Sequence, residues 1–322
     1  MRKLLIANRG EVAVRIARAA AERDIHTIAL YAADDSDAPY LRAADETIAL
    51  PGAGPAAYLD ADAILTSARQ MCADALHPGW GFLSENAQFA EGCAGAGLLF
   101  VGPSPEILRI FGDKNRARQH AIECGVPVLE AVGTQAEAEA LLGKGPIMLK
   151  AVAGGGGRGM RIVRRHNQLQ QAWEICATEA AAAFGNSEVY AERLGERARH
   201  VEVQIIGDGR DVVALGAREC SLQHHHRKLV ESAPVDGCEP LIAAACKMAR
   251  AVGYRGLGTW EFLRSENDFW FLEVNPRLQV EHTVTEMVSG IDLVRVQLEL
   301  AEGGDSRCHR SRCAAGLAGF RH

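Results

Sequence analysis

Over its first hundred residues the chain alternates short apolar runs with stretches of helical period. "KLLIA" and "HTIALYA" are short enough to be buried strands, and "GEVAVRIARAAAERD" between them repeats its apolar positions at helical spacing from Gly10. The alternation continues through the helix "AYLDADAILTSARQM", the strand "ADALHPG", the helix "SENAQFAEGCAGAG" and the strand "LLFVG". A strand that returns to its sheet through a crossover helix runs parallel to its neighbour, so this pattern predicts a doubly wound parallel sheet of Rossmann-like type. A dinucleotide fingerprint would need GxGxxG after the first strand. "ANRGEVA" offers one glycine, and no dinucleotide is assigned to this domain.

"GPSPEILRIFGDKNRARQHAIECGVP" then shifts the composition and reads as a connecting helical segment. Beyond it, "IMLKAVA" and "GMRIVR" form a hairpin around a glycine run, and "QLQQAWEICATEAAAAF" is a helix. "EVYAERL" and "RHVEVQIIGDGRDVVALGAREC" are successive antiparallel strands turning at Gly-Asp-Gly, and the helix "EPLIAAACKMARAVG" precedes a last hairpin. The boundaries drawn are 1–113 for the parallel domain, 114–303 for a mixed α+β domain, and 304–322 for a tail. A length of 322 residues gives room for about two cores. The net charge of −6 argues against a nucleic-acid partner. Nine scattered cysteines, an odd number with no CxxC pair, suggest reduced thiols in a cytoplasmic protein. Charges interrupt the N-terminal apolar run too early for a signal peptide, and no window of 18 apolar residues predicts a membrane span.

Gly154 to Gly157 stand in "LKAVAGGGGRGMRIV", where so much backbone freedom is entropically costly. One reading is a flexible hairpin tip. The other is a phosphate cover, in which side-chain-free backbone lets N–H groups approach an anion; Lys150 and Arg158 beside the glycines favour it.

The last hairpin, "GTWEFLRSENDFWFLEVNPR", invites a register. A turn centred on Asn267 sets Glu261 opposite Glu273 and Thr259 opposite Asn275, with Glu261, Glu273 and Asn275 on one face. Directly opposed carboxylates repel, which points to a cation between them; the other reading is a solvated strand face without metal, which the apolar neighbours Trp260, Phe262, Phe271 and Leu272 disfavour. Hard oxygen ligands at this density suit Mg²⁺, or Mn²⁺, bound together with substrate phosphates.

With these features in place, "ANRGE", "HPGWGFLSENA", "FVGPSPE", "GDKNRAR", "LKAVAGGGGRGM", "RHVEVQI" and "WFLEVNPRLQVEHTVTEMVSGIDLV" resemble the biotin carboxylase component of biotin-dependent carboxylases, from residue 1 to about 303. The resemblance implies a biotin carboxylase N-terminal (pre-ATP-grasp) domain followed by an ATP-grasp domain. It also implies ATP- and bicarbonate-dependent carboxylation of biotin through carboxyphosphate. By the same resemblance, Lys114 and Lys150 contact nucleotide phosphates, and Gly156 and Gly157 belong to a lid that closes over ATP. Glu192, Arg193 and Leu194 meet adenine, His200 meets ribose or phosphate, and Glu261 and Glu273 with Asn275 hold the metal. Gln223, His226 and Lys228 match nucleotide and bicarbonate contacts. Arg277, with the backbone of Gln279 and Val280, would cradle bicarbonate, and Glu281 would take its proton; on an extended strand Arg277, Gln279 and Glu281 share a face.

The sequence departs from the family pattern in two places. The family has two arginines where this chain has His224 and His225, replacing permanent cations with groups mostly neutral at pH 7. A three-histidine run could also bind a transition metal, although consecutive strand residues alternate faces. The second departure is "DSRCHRSRCAAGLAGFRH", where the family continues into a third domain that supplies an arginine for the biotin enolate and much of a dimer surface. This tail resembles what a frame shift or early stop would leave and is expected to be disordered. The implied partners are a separate biotin carboxyl carrier protein, a carboxyltransferase subunit and a second copy in a homodimer. The alternative reading is a truncated, non-catalytic relative that binds Mg-ATP only.

Overall fold

The computed structural model describes residues 1–152, 159–195, 198–224 and 227–309. Its strands are β1 (Lys3–Ile6), β2 (His26–Tyr31), β3 (Glu46–Ala49), β4 (Ala75–His77), β5 (Leu99–Phe100), β6 (Ala131–Val132), β7 (Ile147–Ala151), β8 (Met160–Val163), β9 (Val189–Arg193), β10 (Arg199–Asp208), β11 (Val212–His224), β12 (Arg227–Ser232), β13 (Arg255–Arg264) and β14 (Phe269–Asn275).

The first five strands pair parallel throughout, in the order β3-β2-β1-β4-β5. The predicted doubly wound sheet is therefore present, with the short edge strand β3 added. The strand order reverses between β1 and β4, and the crevice beyond the carboxyl ends of such strands is where open α/β sheets place ligands. The chain leaves β4 there through residues 78–86. Asn8, at the end of β1, holds that loop by donating from Nδ2 to the Pro78 carbonyl at 2.7 Å and the Trp80 carbonyl at 2.8 Å. Gly79 has φ +65°, and a Cβ there would lie 2.7 Å from Asn8 Nδ2, so only glycine lets the two segments meet.

The second helix is shorter than the sequence pattern predicts. Pro55–Leu59 is a 3₁₀ turn, and the α-helix runs Ala61–Gln70, because the Asp60 side chain accepts from the Ala63 amide and caps it. The connecting segment is likewise two helices, Pro105–Gly112 and Lys114–Glu123. Asp113 breaks them by accepting from the Asn115 and Arg116 amides, which sets Lys114 at the start of a helix.

Two antiparallel sheets follow, β12-β11-β10-β13-β14 and β6-β9-β7-β8. In the β10–β11 hairpin, Gly207 and Asp208 remain in strand, so the turn lies two positions beyond the predicted Gly-Asp-Gly, closed by the Asp208 amide on the Asp211 carbonyl at 3.1 Å. The helix Leu293–Ala301 returns to the first unit and shares a core with the helix Gly10–Ala21 through Leu293, Val294, Ile16 and Ala13. Arg15 pairs with Glu286 at 2.8 Å and Asp292 at 2.7 Å across the same seam.

The expectation that the tail 304–322 is disordered is corrected as far as His309. Ser306 is fully buried, and its amide and hydroxyl both donate to Asp208 Oδ2 at 2.9 Å. Residues 310–322 lie outside the described residues. Among the described residues no helix is long and apolar enough to cross a membrane.

Candidate active site

The two units enclose a cleft of about 1150 Å³, bounded by Trp80 and Glu85 of the β4 loop, Lys114, the β7–β9 strands and the β10–β14 sheet. Its floor is the β13–β14 hairpin. Glu261 pairs with Glu273 and Thr259 with Asn275, as the sequence register has it. Toward the tip the register shifts, so that Phe262 faces Phe271 and the turn closes Ser265 on Asp268 at 2.8 Å. One irregularity after Glu261 absorbs the difference from a turn centred on Asn267.

The two opposed carboxylates differ in their surroundings. Glu261 Oε1 accepts from Asn275 Nδ2 at 2.7 Å, Lys228 Nζ at 3.0 Å and Gln279 Nε2 at 3.1 Å, and Oε2 lies 2.6 Å from His200 Nε2. Burial opposes its charge, but His200 and Lys228 overrule it and hold the carboxyl well below the usual range. Glu273 has no hydrogen-bond donor among the described residues. Burial and then the Glu261 charge push it above the usual range, against the pull of Lys114 and Lys150. A half-buried carboxylate to which no described residue donates, facing a second one, is a donor set that fits a hard divalent cation.

Lys228 joins this hairpin to the rest of the site. Its ammonium donates to Glu281 Oε1 at 2.6 Å, to Glu261 at 3.0 Å and to Glu202 Oε2. Burial alone would lower its pKa, and the three carboxylates raise it well above the ordinary lysine value. Glu281 is in turn held below the usual carboxylate range: burial pushes up, and Lys228 overrides it.

Beneath them lies the fully buried Arg218. It donates to Glu202 Oε1 at 2.7 Å, Gln204 Oε1 at 2.9 Å, Thr285 Oγ1 at 2.6 Å and Gln279 Oε1 at 3.2 Å. It therefore ties two strands, the 276–281 segment and the helix His282–Ser289 into one network. Beside it, both carboxylate oxygens of Glu231 are enclosed and accept no hydrogen bond from the described residues, and one of them lies within 4.8 Å of an oxygen of Glu202 and of Glu281. Burial, then the Glu202 charge, pushes the Glu231 carboxyl up to about 8.

Two family models match the chain: the biotin carboxylase N-terminal domain over residues 1–108, and the ATP binding domain of the carbamoyl-phosphate synthase L chain over residues 113–307. The biotin carboxylase of Haemophilus influenzae is 43% identical over 318 residues, covering 94% of this chain and 71% of that protein. The chain belongs to the biotin carboxylase family. Among solved structures, a biotin carboxylase–βγ-ATP complex from Campylobacter jejuni matches with a TM-score of 0.90 at 43% identity, covering 94% of this chain and 71% of that one. The biotin carboxylase domain dimer of Hydrogenobacter thermophilus 2-oxoglutarate carboxylase, in complex with MgADP, ADP and bicarbonate, gives 0.91 at 39% identity, covering 97% and 72%. The pyruvate carboxylase of Bacillus subtilis is 46% identical over 320 residues, and this chain spans 28% of its length.

Most of the residues singled out by resemblance to biotin carboxylases line this one cleft: Lys114, Lys150, Glu192, Arg193, Leu194, His200, Gln223, Lys228, Glu261, Glu273, Asn275, Arg277, Gln279, Val280 and Glu281. Their contacts refine the expectations. Glu192 holds the Lys150 ammonium, and the Arg193 guanidinium is turned to the Lys144 carbonyl at 2.6 Å. His200 bridges Gln223 (2.7 Å) and Glu261, so it belongs to the hairpin's carboxylate. Asn275 spans Glu261 and Arg277, its amide nitrogen on the first and its oxygen 3.2 Å from Nη2 of the second.

One expectation is corrected. Arg277, Gln279 and Glu281 do not lie along a strand, because β14 ends at Asn275 and the chain turns at Val280–Glu281 into the helix His282–Ser289. They converge because separate partners take them: Glu85 for Arg277, Arg218 and Glu261 for Gln279, Lys228 for Glu281.

Gly156, Gly157, His225 and His226 lie outside the described residues, so the glycine run is visible only by its base. There the Ala151 amide donates to the Gly159 carbonyl at 2.9 Å. His224 ends β11 with its side chain exposed.

Sequence reasoning missed Glu202, Arg218, Glu231 and Glu85. The first two carried a signal: Glu202 sits among inward apolar residues in "RHVEVQI", and Arg218 pairs with it across the hairpin.

Proposed function

We propose that this chain carboxylates biotin on a separate carrier protein, using ATP and bicarbonate. The observation that carries the reading is the Lys228 ammonium shared between Glu261, on the hairpin suited to metal and nucleotide, and Glu281, which lines the same cleft as Arg277. That arrangement brings a phosphate-handling site and an anion-handling site within one side chain's reach.

Lys114 and Lys150 would meet nucleotide phosphates, and Arg277 would hold bicarbonate; that all three line the one cleft supports the reading. A magnesium ion on Glu261 and Glu273 would supply the charge that phosphate oxygens require. Glu281 takes the bicarbonate proton, and the freed oxygen forms a bond to the γ-phosphorus of ATP as the bond to ADP breaks. The product, carboxyphosphate, separates into CO₂ and phosphate. The phosphate accepts the ureido N–H proton of biotin, and the nitrogen takes the CO₂. Lys228 follows the charge: while it holds Glu281 the carboxylate is a weak base, and when its ammonium turns to the incoming anions Glu281 regains basicity.

The carrier and a carboxyltransferase would be separate chains, as would a second copy in a dimer, and reduced thiols suit a cytoplasmic setting. ADP release from purified protein tests the reading. It should require both MgATP and bicarbonate and should rise when biotin is added. Nucleotide binding without bicarbonate-dependent release would instead leave a relative that only holds Mg-ATP.

A further inference from the structure

The parallel-sheet domain contributes one charged contact to the bicarbonate-handling residues. Arg277 Nε donates to Glu85 Oε1, and Glu85 belongs to the loop that leaves β4 at the point where strand order reverses. The geometry points to Glu85 as a positioning residue: it fixes the Arg277 guanidinium so that the two terminal nitrogens face the anion. The assignment rests on the reading of Arg277 as the bicarbonate-binding cation.

A guanidinium has five N–H donors in a fixed plane. In this structure Nε donates to Glu85, Nη1 to the Leu278 carbonyl at 3.2 Å and Nη2 to Asn275 Oδ1 at 3.2 Å. One N–H remains on each terminal nitrogen, enough to grip a planar oxyanion with two parallel hydrogen bonds. Without Glu85, the described residues hold the group through its two terminal nitrogens, by neutral acceptors, and bicarbonate would compete for the same two atoms.

The support for Glu85 is itself stiff. His77 is fully buried and its Nδ1 accepts from the Gly79 amide at 3.0 Å, while Asn8 holds the carbonyls of Pro78 and Trp80. The Ser84 amide donates to the Gly81 carbonyl at 2.9 Å, and the Asn86 amide to the Leu83 carbonyl at 3.0 Å. Asn86, directly after Glu85, caps the helix Ala87–Gly95 by accepting from the Phe89 amide at 2.9 Å. An exposed ion pair is worth little because both partners are free to move. Here both ends are anchored, so the pair fixes where the Arg277 guanidinium sits.

The test is bicarbonate-dependent ADP release by the full chain at saturating MgATP, comparing wild type with Glu85→Ala and Glu85→Gln. Glu85→Ala should raise the KM for bicarbonate roughly tenfold while leaving the KM for MgATP and the thermal midpoint unchanged. Glu85→Gln keeps an acceptor for Nε without the charge, and should raise the bicarbonate KM only about threefold. An unchanged bicarbonate KM in Glu85→Ala, or an equal rise in both KM values, overturns the assignment while leaving the proposed reaction standing. A wild-type chain whose ADP release ignores bicarbonate overturns the reaction and the assignment together.

Discussion

The Lys228 ammonium lies 2.6 Å from the Glu281 carboxylate, and the same ammonium also holds Glu202 and Glu261. Three carboxylates therefore share this one cation, and the candidate base is held below the usual carboxylate range and restrained by it. Glu281→Gln preserves the shape of that contact and removes the proton acceptor. Bicarbonate-dependent ADP release should fall by at least about a hundredfold, while the affinity for MgATP changes by less than about twofold. Loss of nucleotide binding in a calorimetric titration of this variant would make Glu281 a structural residue.

Glu273 gives a second test, because it faces Glu261 and no described residue donates to it. Glu273→Gln removes a charge that only a cation would satisfy. Its affinity for ATP without metal should equal or exceed that of wild type, and most of the gain from added Mg²⁺ should vanish. Equal MgATP affinity in mutant and wild type by calorimetry would remove the metal from this hairpin.

The opposed glutamates were legible because strand alternation and a short polar turn fix register locally, and the irregularity after Glu261 cancels the error at the tip. The 277–281 segment was not legible in the same way. Its side chains are placed by Glu85, Arg218 and Lys228, which lie far away in sequence and come together only once the sheets are assembled. Glu85 gave no local signal at all: "FLSENA" reads as a loop before a helix cap, and its partner is 192 residues away. Glu231 was hidden for a related reason, since its missing donors are a property of what surrounds it.

Arg218 is the strut of the site, fully buried with four side-chain partners. Removing it leaves Glu202 with Lys228 alone among the described cations and leaves Gln204, Gln279 and Thr285 without this donor; breaking a buried ion pair costs about 3–5 kcal/mol. Arg218→Ala should lose stability of that order in urea unfolding, with Arg218→Lys losing less. A loss below about 1 kcal/mol, the range of surface pairs, would show that water replaces the guanidinium.

Glu231 makes stability depend on pH. Glu202 and Glu281 face it and favour its protonated form, while Lys228 and Arg218 oppose them. With a folded value of about 8 against about 4.3 in an unfolded chain, the folded state keeps a proton that the unfolded state has released. Its stabilising contribution is thus complete below pH of about 4.3 and fades as the pH rises through 8. Glu231→Gln should melt with wild type near pH 5 and above it at pH 9, the gap opening in between. A gap of constant size across this range in differential scanning calorimetry would mean that Glu231 is ionised throughout.

The origin of a single oxygen atom tests the proposed reaction most directly. If the bicarbonate oxygen freed by Glu281 bonds to the γ-phosphorus, it stays on phosphorus when CO₂ departs. Incubating the chain with MgATP and ¹⁸O-labelled bicarbonate should give inorganic phosphate that carries one bicarbonate oxygen, and Glu281→Gln should give almost none. Phosphate that draws its new oxygen from water at the same rate with or without bicarbonate would contradict the mechanism and leave a site that only binds and slowly hydrolyses ATP.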